Sequence, residues 1–152
     1  MLVKTSNAGS GEIQDIKNGD GLTVSQMLAK FIDAKARQFT GKTGYSPIGA
    51  VVGATYPEEA RNLREMMPVS YFLVPGFGAQ GGGARDIVPC FNTDGLGAIV
   101  NSSRGILYSH MSDRERNCCT KEEYLQSVYH AAKTMQEEIY QALKESYPNM
   151  LY

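Results

Sequence analysis

At 152 residues, 42% of them hydrophobic, the chain is long enough to bury a core as one domain, which excludes a disordered polypeptide. Its 15 basic and 16 acidic residues are spread along the chain and leave a formal net charge of -1, so no basic stripe exists to neutralise a nucleic-acid backbone. No run approaches the ~20 consecutive apolar residues of a membrane span, and Met1-Leu2-Val3-Lys4 lacks the layout of a secretory signal; the expectation is a cytoplasmic protein with neither nucleic acid nor membrane as partner.

The first element predicted is a short strand over 2–6, which runs into the turn-forming Asn7-Ala8-Gly9-Ser10-Gly11. Ser25 is then expected to cap an amphipathic helix over 26–38, with Leu28, Phe31, Ile32 and Phe39 close to helical spacing. The near-continuous apolar run 48–53 suits a strand covered on both faces. Thr55, Pro57, Glu58 and Glu59 announce another helix, whose buried side is Leu63, Met66 and Met67. A buried strand over 71–74 leads into the glycine-rich segment 75–83, a short helix over 84–90 follows, and 97–101 reads as a further buried strand. The last helix starts at the capping box Thr120-Lys121-Glu122-Glu123, ends near Tyr147-Pro148, and is expected to bury Leu125, Val128, Tyr129, Ala132, Met135, Ile139 and Leu143 along one face.

Four strand-then-helix units imply an α/β fold with a parallel sheet and right-handed crossovers, either open or part of a β/α barrel. A complete eight-stranded barrel needs roughly 200 to 250 residues, so four units amount to half of one.

The chemistry concentrates after the third and fourth strands. Glycines at 76, 78, 81, 82 and 83 let backbone N–H groups converge on an anion without Cβ interference, and Gln80 adds a side-chain amide. Arg104 follows the next strand at the corresponding end, where its planar guanidinium can grip phosphate oxygens in pairs. In β/α barrels the phosphate site lies in the loops after the last two strands, so these segments read as a phosphate clamp. The same residues admit a plainer account, turn-forming glycines beside a surface arginine. Gly76-x-Gly78-x-x-Gly81 also fits a dinucleotide fingerprint, but no acidic residue ends the next strand, and no Lys-Ser or Lys-Thr follows for a P-loop.

Ser6, at the end of the first strand, is placed either to meet a ligand over the same rim or simply to form a turn. Lys4 reads as a satisfied or exposed charge, and His110 and His130 as surface histidines with no ligand or carboxylate partner at metal or catalytic spacing. Cys90, Cys118 and Cys119 are odd in number, contain no C-x-x-C, and are read as reduced thiols.

Four blocks carry a specific resemblance: Lys4-Thr5-Ser6-Asn7, the stretch 49–55 (GAVVGAT), the stretch 72–82 (FLVPGFGAQGG) and the stretch 97–104 (GAIVNSSR). In this order they resemble the orotidine 5′-phosphate decarboxylases, the longer bacterial subfamily most of all. The resemblance implies the C-terminal half of a β/α (TIM) barrel, strands five to eight, over 1–152, with the N-terminal half absent. It implies an enzyme that converts orotidine monophosphate to uridine monophosphate and carbon dioxide in pyrimidine biosynthesis, without cofactor or metal, as a cytoplasmic homodimer at full length. By motif match, Ser6 would contact the pyrimidine, Gln80 the ligand near its phosphate, and Arg104 the phosphate, with Pro75, Gly76, Gly78 and Ser103 completing the substrate site. The family's catalytic lysine lies in an alternating Asp-Lys-Asp cluster on earlier strands, and residues 1–152 are expected to hold no Asp-x-Lys-x-x-Asp, so no catalytic residue is assigned and the chain alone is expected to be inactive. A non-catalytic nucleotide-phosphate-binding half-barrel and another sugar-phosphate barrel enzyme are the alternatives.

Overall fold

A computed structural model of the chain describes residues 1–78, 82–111 and 120–150. Four strands form one sheet in the order β1 (Leu2–Lys4), β2 (Ser46–Val52), β3 (Ser70–Pro75), β4 (Ala98–Asn101), and each neighbouring pair is parallel. Spatial order equals chain order, so each crossover joins nearest neighbours in the sheet. The intervening helices are α1 (Gly11–Gln14), α2 (Val24–Ala36), α3 (Pro57–Met66) and α4 (Ala84–Ile87), and α5 (Ser103–Leu107) and α6 (Lys121–Ser146) follow β4.

Side chains alternate across the sheet. Val3, Ala50, Val52, Phe72 and Val74 point to one face and are buried among Ala29 and Ile32 of α2, Leu63 of α3, and Ile87 and Cys90 around α4. The other face carries the register-aligned row Leu2, Val51, Leu73 and Ile99, one residue from each strand, and there Leu73 is 42% and Ile99 59% exposed. The apolar run 48–53, expected as a strand covered on both faces, forms the strand Ser46–Val52, which within this chain is covered on one. Its apolar run reflects two apolar faces, only one of which has helices against it.

Local chemistry accounts for the helix starts, with corrections. The cap of α2 is Thr23, not Ser25: Thr23 Oγ1 accepts from the N–H of Gln26, and the Gln26 side chain accepts from the N–H of Thr23. Ser25 is instead buried in the first turn, its hydroxyl 3.0 Å from the carbonyls of Val3 and Gln14, which ties α2 to β1. Tyr56, not Thr55, precedes α3, with Pro57 in its first turn. The capping box at Thr120 and Glu123 forms as expected. The inward face of α6 differs: Met135, Ile139, Ala142 and Leu143 join the core, whereas Leu125 and Tyr129 are exposed, as is Ala132. The first turns of α6 make their contacts through other residues, Tyr124 edge-on to His110 at 5.0 Å and the Ser127 hydroxyl 2.9 Å from that of Ser109, which leaves Leu125 and Tyr129 outside.

The end of the sheet opposite the strand C-termini is held by a buried arginine. Arg64 donates to the carbonyls of Gly97 (3.0 Å), Ser70 (2.7 Å), Cys90 (3.3 Å) and Met67, and its guanidinium stacks 3.9 Å over the ring of Phe72. Burial pulls its pKa down to about 10, and the same desolvation pushes the Cys90 thiol up to about 12. Beside it, the Tyr45 hydroxyl lies 3.0 Å from Asp94 and accepts from Asn92 at 2.8 Å, closing that end with a polar network.

Candidate functional site

A cleft of about 180 Å³ lies at the C-terminal ends of the strands, lined by Ser6 after β1, by Pro75 at the end of β3 with Gly76 and Phe77 beyond it, and by Asn101 at the end of β4 with Ser102 to Arg104 beyond it. It is smaller than the roughly 300–1,000 Å³ of a whole small-molecule site, so it fits one part of a ligand. Ligand sites in parallel α/β sheets form at this end, because the loops leaving successive strands converge there.

Each wall has a backbone reason. Ser6 reaches the rim because Gly53 lets the two chains approach: a Cβ on Gly53 would lie 2.8 Å from the Ser6 nitrogen and 2.9 Å from its Cα. The turn after β3 passes through the left-handed region at Gly76 (φ 96°) and Gly78 (φ 72°), which only glycine takes without strain. Phe77 between them anchors the turn by burying its ring in the core, and the Gly78 N–H donates to the Gly82 carbonyl at 2.7 Å. Gly82 lies so close to Ala54 that a Cβ there would stand 2.6 Å from the alanine methyl. After β4, Ser103 and Arg104 open α5, with Arg104 exposed beside the cleft.

Of the residues singled out in the sequence, Ser6, Pro75, Gly76, Ser103 and Arg104 meet in this one cleft, and Gly78 adjoins it. Gln80 lies outside the described residues, as do Cys118 and Cys119. Phe77, Asn101 and Ser102 also line the cleft; in the sequence Asn101 reads only as the last residue of a strand, and Phe77 and Ser102 only as parts of the loops. Their signal was position, at or directly beyond the ends of two adjacent strands.

Lys4 is buried, its ammonium 2.7 and 2.8 Å from the two carboxylate oxygens of Asp15 and 4.6 Å from the Tyr56 ring centroid, so it is a satisfied charge outside the cleft. One Asp-x-Lys-x-x-Asp spacing does occur, at Asp15, Lys17 and Asp20, and corrects the expectation that residues 1–152 hold none. It is not an alternating strand cluster: Asp15 ends α1 and pairs with Lys4, and Lys17 and Asp20 follow in the connection to α2. Asp15 and Lys17 border a separate groove with Thr23, Glu59 and Asn62. His130 is exposed, but His110 is half-buried, edge-on to Tyr124 at 5.0 Å, and not a plain surface residue. Cys90 is a buried free thiol. Among the described residues, no group of three or more His, Cys, Asp or Glu side chains could hold a metal ion, and no helix is long and apolar enough to cross a membrane.

No family model matches the chain. It is 42% identical over 139 residues to the orotidine 5′-phosphate decarboxylase of Rhodopirellula baltica, covering 91% of this chain and 46% of that protein. It is 39% identical over 143 residues to that of Caldicellulosiruptor bescii, covering 94% and 45%. Among solved structures it superposes on the UMP synthase of Leishmania donovani with a TM-score of 0.68 at 29% identity, covering 93% of this chain and 27% of that one. A putative orotidine-monophosphate decarboxylase from Toxoplasma gondii also gives 0.68, at 26% identity, covering 94% and 50%. The chain therefore spans about half the length of the curated relatives it matches. By sequence and by fold it is similar to the orotidine 5′-phosphate decarboxylases over a stretch of about half their length.

Proposed function

We propose that the cleft holds the 5′-phosphate of orotidine monophosphate, and that the chain is the C-terminal, phosphate-gripping half of a barrel that decarboxylates this nucleotide to uridine monophosphate. The observation that carries the reading is the convergence of Arg104 with the Gly76–Gly78 turn and Ser6 at the C-terminal ends of a parallel sheet. Arg104 and the main chain about Gly78 and Ser103 take the phosphate, Pro75 and Gly76 line its approach, Ser6 contacts the pyrimidine, and Gln80, by motif match alone, is assigned to the ligand near its phosphate.

The apolar row Leu2, Val51, Leu73 and Ile99 supports a barrel, because in a closed β/α barrel such a face becomes packed interior. Four further strands would cover it and would also pair the outer edges of β1 and β4. On this reading the proton-donating lysine and its carboxylates belong to that other half, and the complete protein works as a cytoplasmic homodimer. Binding energy gathered here at the phosphate lowers the barrier at a carbon some distance away.

Titration calorimetry of the 152-residue chain tests this. Uridine monophosphate should bind, ribose 5-phosphate more weakly, and uridine more weakly still, with no carbon dioxide released from orotidine monophosphate. Equal affinity for uridine and its monophosphate would remove the phosphate assignment, and tighter binding of ribose 5-phosphate would favour another sugar-phosphate barrel enzyme. Turnover by the chain alone would remove the assignment of the chemistry to the other half.

A further inference from the structure

The two loops that make the phosphate cleft leave adjacent strands, and the β3–β4 ladder ends at the pair Pro75 and Asn101. Beyond that pair one side chain continues the connection. The Ser102 hydroxyl donates to the Phe77 carbonyl at 3.0 Å, and Ser102 is buried. Ser102 stands at the residue before α5, where a serine hydroxyl ordinarily accepts from the helix's own N–H groups, yet it makes no such capping bond. Its hydrogen bond goes sideways instead, to a carbonyl held between the left-handed glycines Gly76 and Gly78.

Resting on the phosphate reading above, we propose that Ser102 is a positioning residue: its hydroxyl latches the Gly76–Gly78 turn to the start of α5 and so fixes the distance between that turn and Arg104. Both latched groups line the cleft, so the bond acts where the ligand's phosphate would sit. The surrounding glycines fit this role. A Cβ on Gly105 would stand 2.5 Å from the Ser102 oxygen, so residue 105 has to be bare for the hydroxyl to hold its place. The Phe77 ring, buried in the core, keeps the accepting carbonyl from swinging away.

Two substitutions break the latch from opposite sides. Ser102→Ala removes the donor, and Gly105→Ala displaces it while giving α5 a better helix former. Calorimetry on the 152-residue chain, with uridine monophosphate and uridine as probes and thermal melting alongside, reads the result. Each variant should bind the monophosphate at least tenfold more weakly while uridine affinity moves less than twofold. A merely structural serine would weaken both ligands alike in step with the melting temperature, and that outcome overturns the proposal. So does unchanged monophosphate binding in either folded variant. If the unsubstituted chain itself fails to distinguish the two ligands, the phosphate reading falls and this one with it.

Discussion

Gly53 and Ser6 lie in such close contact that no side chain fits between them: a Cβ on Gly53 would come within 2.8 Å of the Ser6 nitrogen, and within 2.9 Å of both its Cα and its Cβ. The same glycine donates its N–H to the Lys4 carbonyl at 2.7 Å, so β2 fixes the end of β1. Gly53→Ala therefore has to push backbone rather than a flexible side chain. Overpacking of this kind costs roughly 1–3 kcal/mol. The variant should melt lower and lose nucleotide affinity as Ser6 leaves the rim; an unchanged melt would show that the two chains separate freely here.

Arg104 is the fixed cation of the cleft. Charge-assisted hydrogen bonds contribute about 1.5–3 kcal/mol each, so losing a paired grip should lower kcat/KM by at least about a hundredfold when Arg104→Ala is made in a full-length parent. Arg104→Lys keeps the charge and loses the planar fork, and should fall between the two. A change under about threefold for the alanine variant would sink the phosphate role of Arg104.

Burial of Cys90 makes stability depend on alkaline pH with a definite sign. The folded thiol keeps its proton to about 12, whereas the unfolded thiol loses it near its ordinary value of 9.0. Above that value the unfolded state holds fewer protons, so rising pH favours unfolding, with a limiting slope of about 1.4 kcal/mol per pH unit for one such group. Urea unfolding between pH 8 and 9, below the value of about 10 at which Arg64 titrates, should show the onset of this decline, and Cys90→Ala should flatten it. Equal slopes in the two proteins would count against the buried thiol as the cause.

The cap of α2 offers a direct comparison between two neighbouring hydroxyls. Thr23→Ala leaves the N–H of Gln26 without its partner and should cost about 1 kcal/mol, while Thr23→Ser should be nearly neutral. Chemical denaturation distinguishes them. Equal loss in both variants would mean that the threonine methyl, and not the cap, carries the effect.

The succession of strands and helices, the parallel sense of the sheet and the lie of most candidate site residues at strand ends were legible in the chain, because they rest on local features. Apolar runs bounded by glycine and serine loops mark buried strands, and a capping box marks the start of α6 wherever that helix packs. The four blocks that resemble the decarboxylases were legible for the same reason: each is a strand end with its own loop.

What the sequence alone did not determine depends on which segments meet in space. The Asp15, Lys17 and Asp20 spacing looks like a catalytic cluster on paper, but only the fold puts it in a connection, with Asp15 neutralising a lysine 11 residues earlier. The Ser25 hydroxyl is a reasonable cap by position, yet tertiary contact with Val3 redirects it and hands the role to Thr23. The exposed Leu125 and Tyr129, the stacking of Arg64 on Phe72, and the Ser102 bond to Phe77 share that character. Each depends on a neighbour distant in the chain, and hydrogen bonds and burial are decided by proximity, which the order of residues along one strand or helix does not encode.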